Sequence, residues 1–523
     1  MNLKNNIAKL IAQTLLIAIV TGHVFGQPSL VWENYFDFEG GFDSPSLMKI
    51  GTEGNIYISG VSTVDTFEKD ITILKISAEG ITEWSNLIRN DYDDASSGLV
   101  TDSEGNCYVG GNLGDIFLDE TAFVVKYLVD GNQSWMDTQA NSMKGLSIDT
   151  DNNIYALLSG ENIHLIKYDS SGDYLLNIKN DTSYSGHTNY SKLFMIDQGM
   201  NMYVAGEYVD AIADNEVFLK KFSPDGNLIV DVKYNPTGED INPILMKVDA
   251  YGNIYLAGSF GLFYEGIFLA KFNSDGSLLW DNFIFDESGI PYDLILDADQ
   301  NPVICGKVYE VHLVTEYILI KYDQNGNEVW KDYPGKATPS FDKVAHLTSD
   351  QSGNVYFLAS TWPVAISEES FLMCKYDVNG TKLWEYKKDS ILSDLNDFVT
   401  NMAFDTENNL VVTLQCEGAN GSMDILTQKY AQLTGIEESL LASTEFTVFP
   451  NPFHSTATVN SSTAALINKE STIRLLDLYG REISTDSFHN NYQLNRSGIA
   501  NGIYLLKVVS GGGITSTAKV IIY

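Results

Sequence analysis

Two short segments carry oxygen ligands at a spacing that a hard cation can use. Asp149-x-Asp151-x-Asn153 and Asp297-x-Asp299-x-Asn301 set carboxylate and carboxamide groups on alternate residues, as calcium-binding loops do. Neither segment has the twelfth-position Glu that completes such a loop, and sister segments keep the spacing with a single carboxylate. The same residues also suit a tight turn, because Asp and Asn side chains bond their own backbone. Turn chemistry is the first reading. Calcium is the second, and no other cofactor is expected.

Catalysis has thinner support. Nucleophilic triads, zinc centres and acid–base pairs need particular residues that converge on one pocket. His164, His187, His312 and His346 have no metal-ligand spacing among them, and the chain lacks G-x-S-x-G, H-E-x-x-H and P-loop motifs. Eight lysines recur, Lys75, Lys126, Lys167, Lys221, Lys271, Lys321, Lys375 and Lys429, but they sit between apolar neighbours, as in Leu269-Ala270-Lys271-Phe272. Each is expected to lay its stem along a neighbouring blade and reach a turn Asp, not to form a basic ring. No catalytic, cofactor-binding or metal-ligating residue is assigned, and the protein is expected not to be an enzyme.

These residues belong to a two-part phrase that recurs eight times between residues 49 and 435. The first half places an Asn at Asn55, Asn106, Asn153, Asn201, Asn253, Asn301, Asn354 and Asn409, with an Asp four residues earlier in every copy but the first, where Gly51 stands. The second half follows each recurrent Lys with a Gly five residues on in seven copies. Four residues further comes Trp84, Trp135, Leu176, Val230, Trp280, Trp330 or Trp384. Repeat lengths of 51, 47, 48, 52, 48, 53 and 55 residues suit a propeller blade. In the fifth copy four apolar runs, 244–248, 254–257, 267–272 and 277–283, are separated by Asp, Asn and Gly turns, which predicts four antiparallel strands.

A propeller that stays open leaves unpaired strand edges. The eighth copy lacks its fourth strand, and Leu30-Val31-Trp32-Glu33-Asn34-Tyr35 resembles the missing one, with Trp32 at the Trp position. The expected architecture is all-β: an eight-bladed β-propeller of four-stranded antiparallel blades over 27–435, closed by the N-terminal strand. A linker over 436–443 and a small immunoglobulin-like β-sandwich over 444–523 follow, the latter from alternating strands between Asn, Gly and Ser turns.

Composition narrows the partners. Lys+Arg 32 against Asp+Glu 69 gives a net charge of -37, which excludes nucleic acid and anionic membrane surfaces. Cys107, Cys305, Cys374 and Cys416 lie in predicted strands of four different repeats, as buried free thiols would. Lys4 and Lys9 ahead of an apolar run from Ile11 to Val20, then Val24-Phe25-Gly26, read as a signal peptide over 1–26. No stretch is long and apolar enough to be a transmembrane segment.

Two resemblances add to this reading. The repeats are similar to the secreted bacterial β-propeller family whose units run D-x-x-G-N-x-Y-V-x-G and then a G-N-x-x-W hairpin. The tail resembles the type A C-terminal sorting domain of the type IX secretion system of Bacteroidota, through Pro450-Asn451-Pro452, Asp477-Leu478-Tyr479-Gly480-Arg481, Gly502-Ile503-Tyr504 and the final strand with Lys519. That resemblance implies export through the periplasm, recognition of 444–523 by the secretion machinery, and a secreted or outer-membrane cell-surface destination. The hairpin also resembles the tryptophan motif of pyrroloquinoline-quinone dehydrogenases, but the Asp–Gly spacing of Asp323 and Gly326 departs from that motif. The function expected is a non-enzymatic binding module for a glycan or protein ligand. The alternative is an extracellular hydrolase or lyase acting on polysaccharide. Either would use the segments that differ between repeats, 91–97, 184–190, 260–266 and 361–370.

Overall fold

A computed structural model describes residues 28–63, 68–90, 92–114, 121–159, 162–180, 188–209, 215–261, 266–284, 288–309, 315–335, 345–360, 371–388, 398–418, 421–432, 446–449, 453–461, 471–476, 482–488, 491–496, 498–510 and 515–522. The segment read as a signal peptide lies outside them. The chain divides into two units between Gln432 and Leu433.

The first unit holds eight four-stranded antiparallel sheets, each following chain order from its innermost strand outwards, except the last. The fifth blade shows how the repeat builds one. Ile241–Val248, Ile254–Phe260, Gly266–Phe272 and Leu278–Ile284 pair in succession. The first turn is closed by Gly252 N–H donating to the Asp249 carbonyl at 3.0 Å and the hairpin by Gly276 N–H donating to Asn273 at 3.0 Å. The two central strands are buried throughout, whereas the outermost strand is half-exposed. Faces of neighbouring blades supply the core. One cluster joins Tyr255, Ala257 and Leu269 of the fifth blade to Leu294, Ile304 and Ile318 of the sixth.

The eighth blade has the order Ser29–Phe36, Met423–Ala431, Leu410–Glu417, Phe398–Phe404, so the N-terminal strand is its fourth. Trp32 pairs with Lys429, the register of Trp84 with Lys75 and Trp280 with Lys271. Phe36, Met48, Ile58, Leu74, Val411 and Ile425 form one buried cluster, so the eighth blade packs on the first and the ring is closed.

The second unit has a three-stranded sheet of Phe446–Phe449, Thr456–Ser461 and Asn491–Asn495, and a four-stranded one in the order Glu482–Phe488, Ser471–Leu476, Gly502–Ser510, Thr515–Ile522. Ala457, Val459 and Leu494 of the first meet Ile473, Leu475, Leu506 and Val520 of the second in a single buried core. This is the two-layer packing of a small sandwich.

Candidate binding face

The recurrent residues meet at the junctions between blades. Asp297 opens the first turn of the sixth blade, where its Oδ1 accepts the N–H groups of Asp299 at 2.9 Å and Asn301 at 2.8 Å. Its Oδ2 lies 2.7 Å from Lys321 Nζ. That ammonium also donates to the Val378 carbonyl of the next blade's hairpin at 3.3 Å, the oxygen that accepts the Trp330 indole N–H at 3.3 Å. Lys126 and Trp135 share the Ser170 carbonyl in the same way, Lys271 and Trp280 share that of Gln324, and Lys75 and Trp84 share that of Val129.

Tyrosine completes the latch. Tyr108, Tyr155, Tyr203 and Tyr356 donate to the turn Asp of their own blade at 2.7 to 3.0 Å, and the ammonium lies 4.6 to 5.0 Å from each ring centroid. In the first blade, where Gly51 replaces the Asp, Lys75 pairs with Glu83 at 2.8 Å. The sequence reading expected each Lys to lie along a neighbouring blade and reach a turn Asp. Lys126, Lys167, Lys321, Lys375 and Lys429 reach the turn Asp of their own blade, and the neighbouring blade supplies a carbonyl to Lys126, Lys321 and Lys429.

The calcium-like turn is filled by these donors. Burial alone would raise Asp149, but hydrogen bonds from Asn153, Tyr155 and Lys167 outweigh it and hold the carboxyl below the usual carboxylate range. A cation there would have to displace the Lys167 ammonium, 3.2 Å from Oδ2. The histidines are not brought together. His164 Nε2 lies 3.0 Å from Asn177 Oδ1, His346 Nδ1 lies 3.9 Å from Asp293 on another blade, and His187 and His312 lie outside the described residues. The four cysteines are buried thiols, none of them in a disulfide.

The tight turns and hairpins all leave from one end of the strands. The connections between second and third strands, and those between blades, leave from the other. The segments singled out for their variability belong to this second end. Of these, 92–97, 188–190, 260–261 and 266 are described, and 361–370 lie wholly outside the described residues.

Three carboxylates converge at the second end, where the closing strand meets the first blade. Oxygens of Asp37, Asp43 and Asp424 lie within 4.8 Å of one another, the one such group of three acidic, His or Cys side chains among the described residues. Oxygen donors in this arrangement are those a divalent cation takes. Asp43 is fully buried, accepts the Phe38 N–H at 2.7 Å and the Ser62 hydroxyl, and is pushed up to about 6, chiefly by burial. Burial also raises Asp424. Asp94 takes the place of Asp43 in the second blade. Its Oδ1 accepts the Gly114 N–H at 3.2 Å, and burial pushes it up to about 7. Sequence reasoning missed the group of three, because ring closure alone brings residues 37 and 424 together.

Comparison with known proteins decides the tail. Residues 447–523 match the family model described as the secretion system C-terminal sorting domain. The chain carries a type IX sorting domain. That sorting domain places the protein on the type IX route to the cell surface or the medium. Among the described residues no helix is long and apolar enough to cross a membrane. An uncharacterized WD repeat-containing protein of Acanthamoeba polyphaga mimivirus is 24% identical over 459 residues, covering 68% of this chain and 31% of that protein. The chain thus spans about a third of that relative's length. A Bacteroides caccae protein of unknown function is similar in structure at 14% identity and TM-score 0.31, over 50% of this chain and 89% of its own. The β-propeller domain of the trilobed protease from Pyrococcus furiosus is similar at 13% identity and TM-score 0.36, over 66% of this chain and 99% of its own.

Proposed function

We propose that this is an exported, non-enzymatic binding module whose propeller presents a glycan or protein site on the end of the ring that carries the variable connections. One observation supports the reading above the others. The recurrent polar residues are committed to latches between blades, as Lys321 is to Asp297 and Val378, so the residues left for recognition are those that do not repeat. The raised carboxyls of Asp43 and Asp94 favour a second reading, a hydrolase or lyase acting on polysaccharide. Both groups are buried, which weighs against their reaching a substrate.

A glycan array and a protein pull-down on the secreted form, run beside a polysaccharide-degradation screen, separate the readings. Binding with no product supports the module, and a released oligosaccharide overturns it. Deleting 444–523 should leave the propeller in the periplasm, and normal secretion of the shortened chain would contradict the role of the sorting domain.

A further inference from the structure

Lys49 lies on the innermost strand of the first blade, paired with Tyr57, and Lys247 lies on the innermost strand of the fifth, paired with Tyr255. They occupy one register position of the repeat. In a closed ring of eight blades the first and the fifth face each other across the axis. The other six blades hold Val100, Ser147, Met195, Ile295, Thr348 and Ala403 at that position, each paired with the equivalent residue of its second strand. This tier of the channel wall therefore carries two cations and no acid, in a chain of net charge -37.

The latch lysines have bonded partners, but Lys49 and Lys247 have no hydrogen bond or ion pair among the described residues. Lys49 is open to solvent within the ring and Lys247 is half-exposed. Enclosure by the surrounding protein lowers Lys49 first of all, and the charge of Lys247 lowers it further. Two like charges held in a confined space without counter-charge are stabilised most simply by an anion between them.

We propose that the axial channel binds an oxyanion, a carboxylate, sulfate or phosphate group, between the ammoniums of Lys49 and Lys247. The site is separate from the variable-connection end of the ring and stands whether or not that end binds a ligand. The group is either a free inorganic ion or the acidic group of a sugar small enough to enter the channel.

The test is calorimetric titration and thermal melting of the full-length protein with sodium sulfate, sodium phosphate and a uronic acid disaccharide, against sodium chloride at equal ionic strength. Saturable binding with a rise in melting temperature is expected for at least one oxyanion. Lys49→Met and Lys247→Met should each weaken it about tenfold or more. Lys331→Met, on an outermost strand, should leave it unchanged. Both channel variants should melt no lower than the parent without anion, which shows that they are folded. A response to the inorganic ions alone assigns the site to a free ion, and a response to the uronate assigns it to an acidic sugar. No saturable response in the parent, or an equal response in the two channel variants, overturns the proposal.

Discussion

The indole nitrogen of Trp32 and the ammonium of Lys429 donate to one carbonyl oxygen, that of Ala78, at 3.1 and 3.3 Å. The two side chains are neighbours across the last blade, and Ala78 belongs to the hairpin of the first. The ring is therefore fastened by the latch that joins its other blades. Trp32 also lies on Gly80, where an added Cβ would come within 2.6 Å of the indole and φ is +86°. Trp32→Ala is expected to lose about 2–3 kcal/mol. Hydrogen exchange should rise first in Ser29–Phe36 and Met423–Ala431. Trp280→Ala, at a junction within the ring, should lose comparable stability without exposing those two strands. An unchanged urea midpoint for Trp32→Ala would remove its role in closure.

Lys321 and Asp297 are both buried and 2.7 Å apart. Lys321→Met leaves a buried carboxylate without its counter-charge and should cost about 3–5 kcal/mol. Adding Asp297→Asn neutralises that charge and keeps an oxygen for the turn N–H groups, so the double variant should recover part of the loss. Equal urea midpoints for the single and the double variant would show that the carboxylate is not what the lysine stabilises.

Two sets of carboxyls pull stability in opposite directions with pH. Burial lifts Asp43 from 3.8 to about 6 in the folded state, so its contribution is full below the unfolded value and is lost as pH rises through about 6. For Asp149 and Asp405 burial acts upwards too, but hydrogen bonds outweigh it, chiefly Asn153 for the first and Lys429 for the second, and both carboxyls are held down. Their contribution is present at neutral pH and lost as pH falls through the carboxylate range. Asp43→Asn should gain on the parent as pH rises from roughly 4 to 7. Urea midpoints that run parallel over that window would contradict the assignment.

Much of this is legible in the sequence alone. The repeat predicts the blade, and the register of Trp32 predicts the closing strand, because both are local patterns of turn and core residues. The partners of the latch were not legible. Lys75 is 54 residues from the Val129 carbonyl, and a backbone oxygen has no signature in a sequence. The approach of Asp37 to Asp424 was hidden for the same reason, since it exists only once the two ends of the ring meet.

The first turn of each blade needs a left-handed residue before its Asn, and the copies meet that need unequally. Gly54, Gly105, Gly252 and Gly353 adopt it freely, and Asn152 and Asn408 adopt it at φ 64°. Met200 is held there at φ 60° with its N–H donating to the Asp197 carbonyl at 3.0 Å. A side chain with no local polar partner costs roughly 1–2 kcal/mol in this conformation, whereas Asn visits it routinely. Met200→Asn should therefore stabilise the propeller by about 1 kcal/mol and raise the urea midpoint, with no change in the fold. The gain should come without added flexibility in the unfolded chain, which separates it from Met200→Gly, where part of the relief is returned as backbone entropy. A Met200→Asn midpoint at or below that of the parent would mean that no strain is stored at this turn.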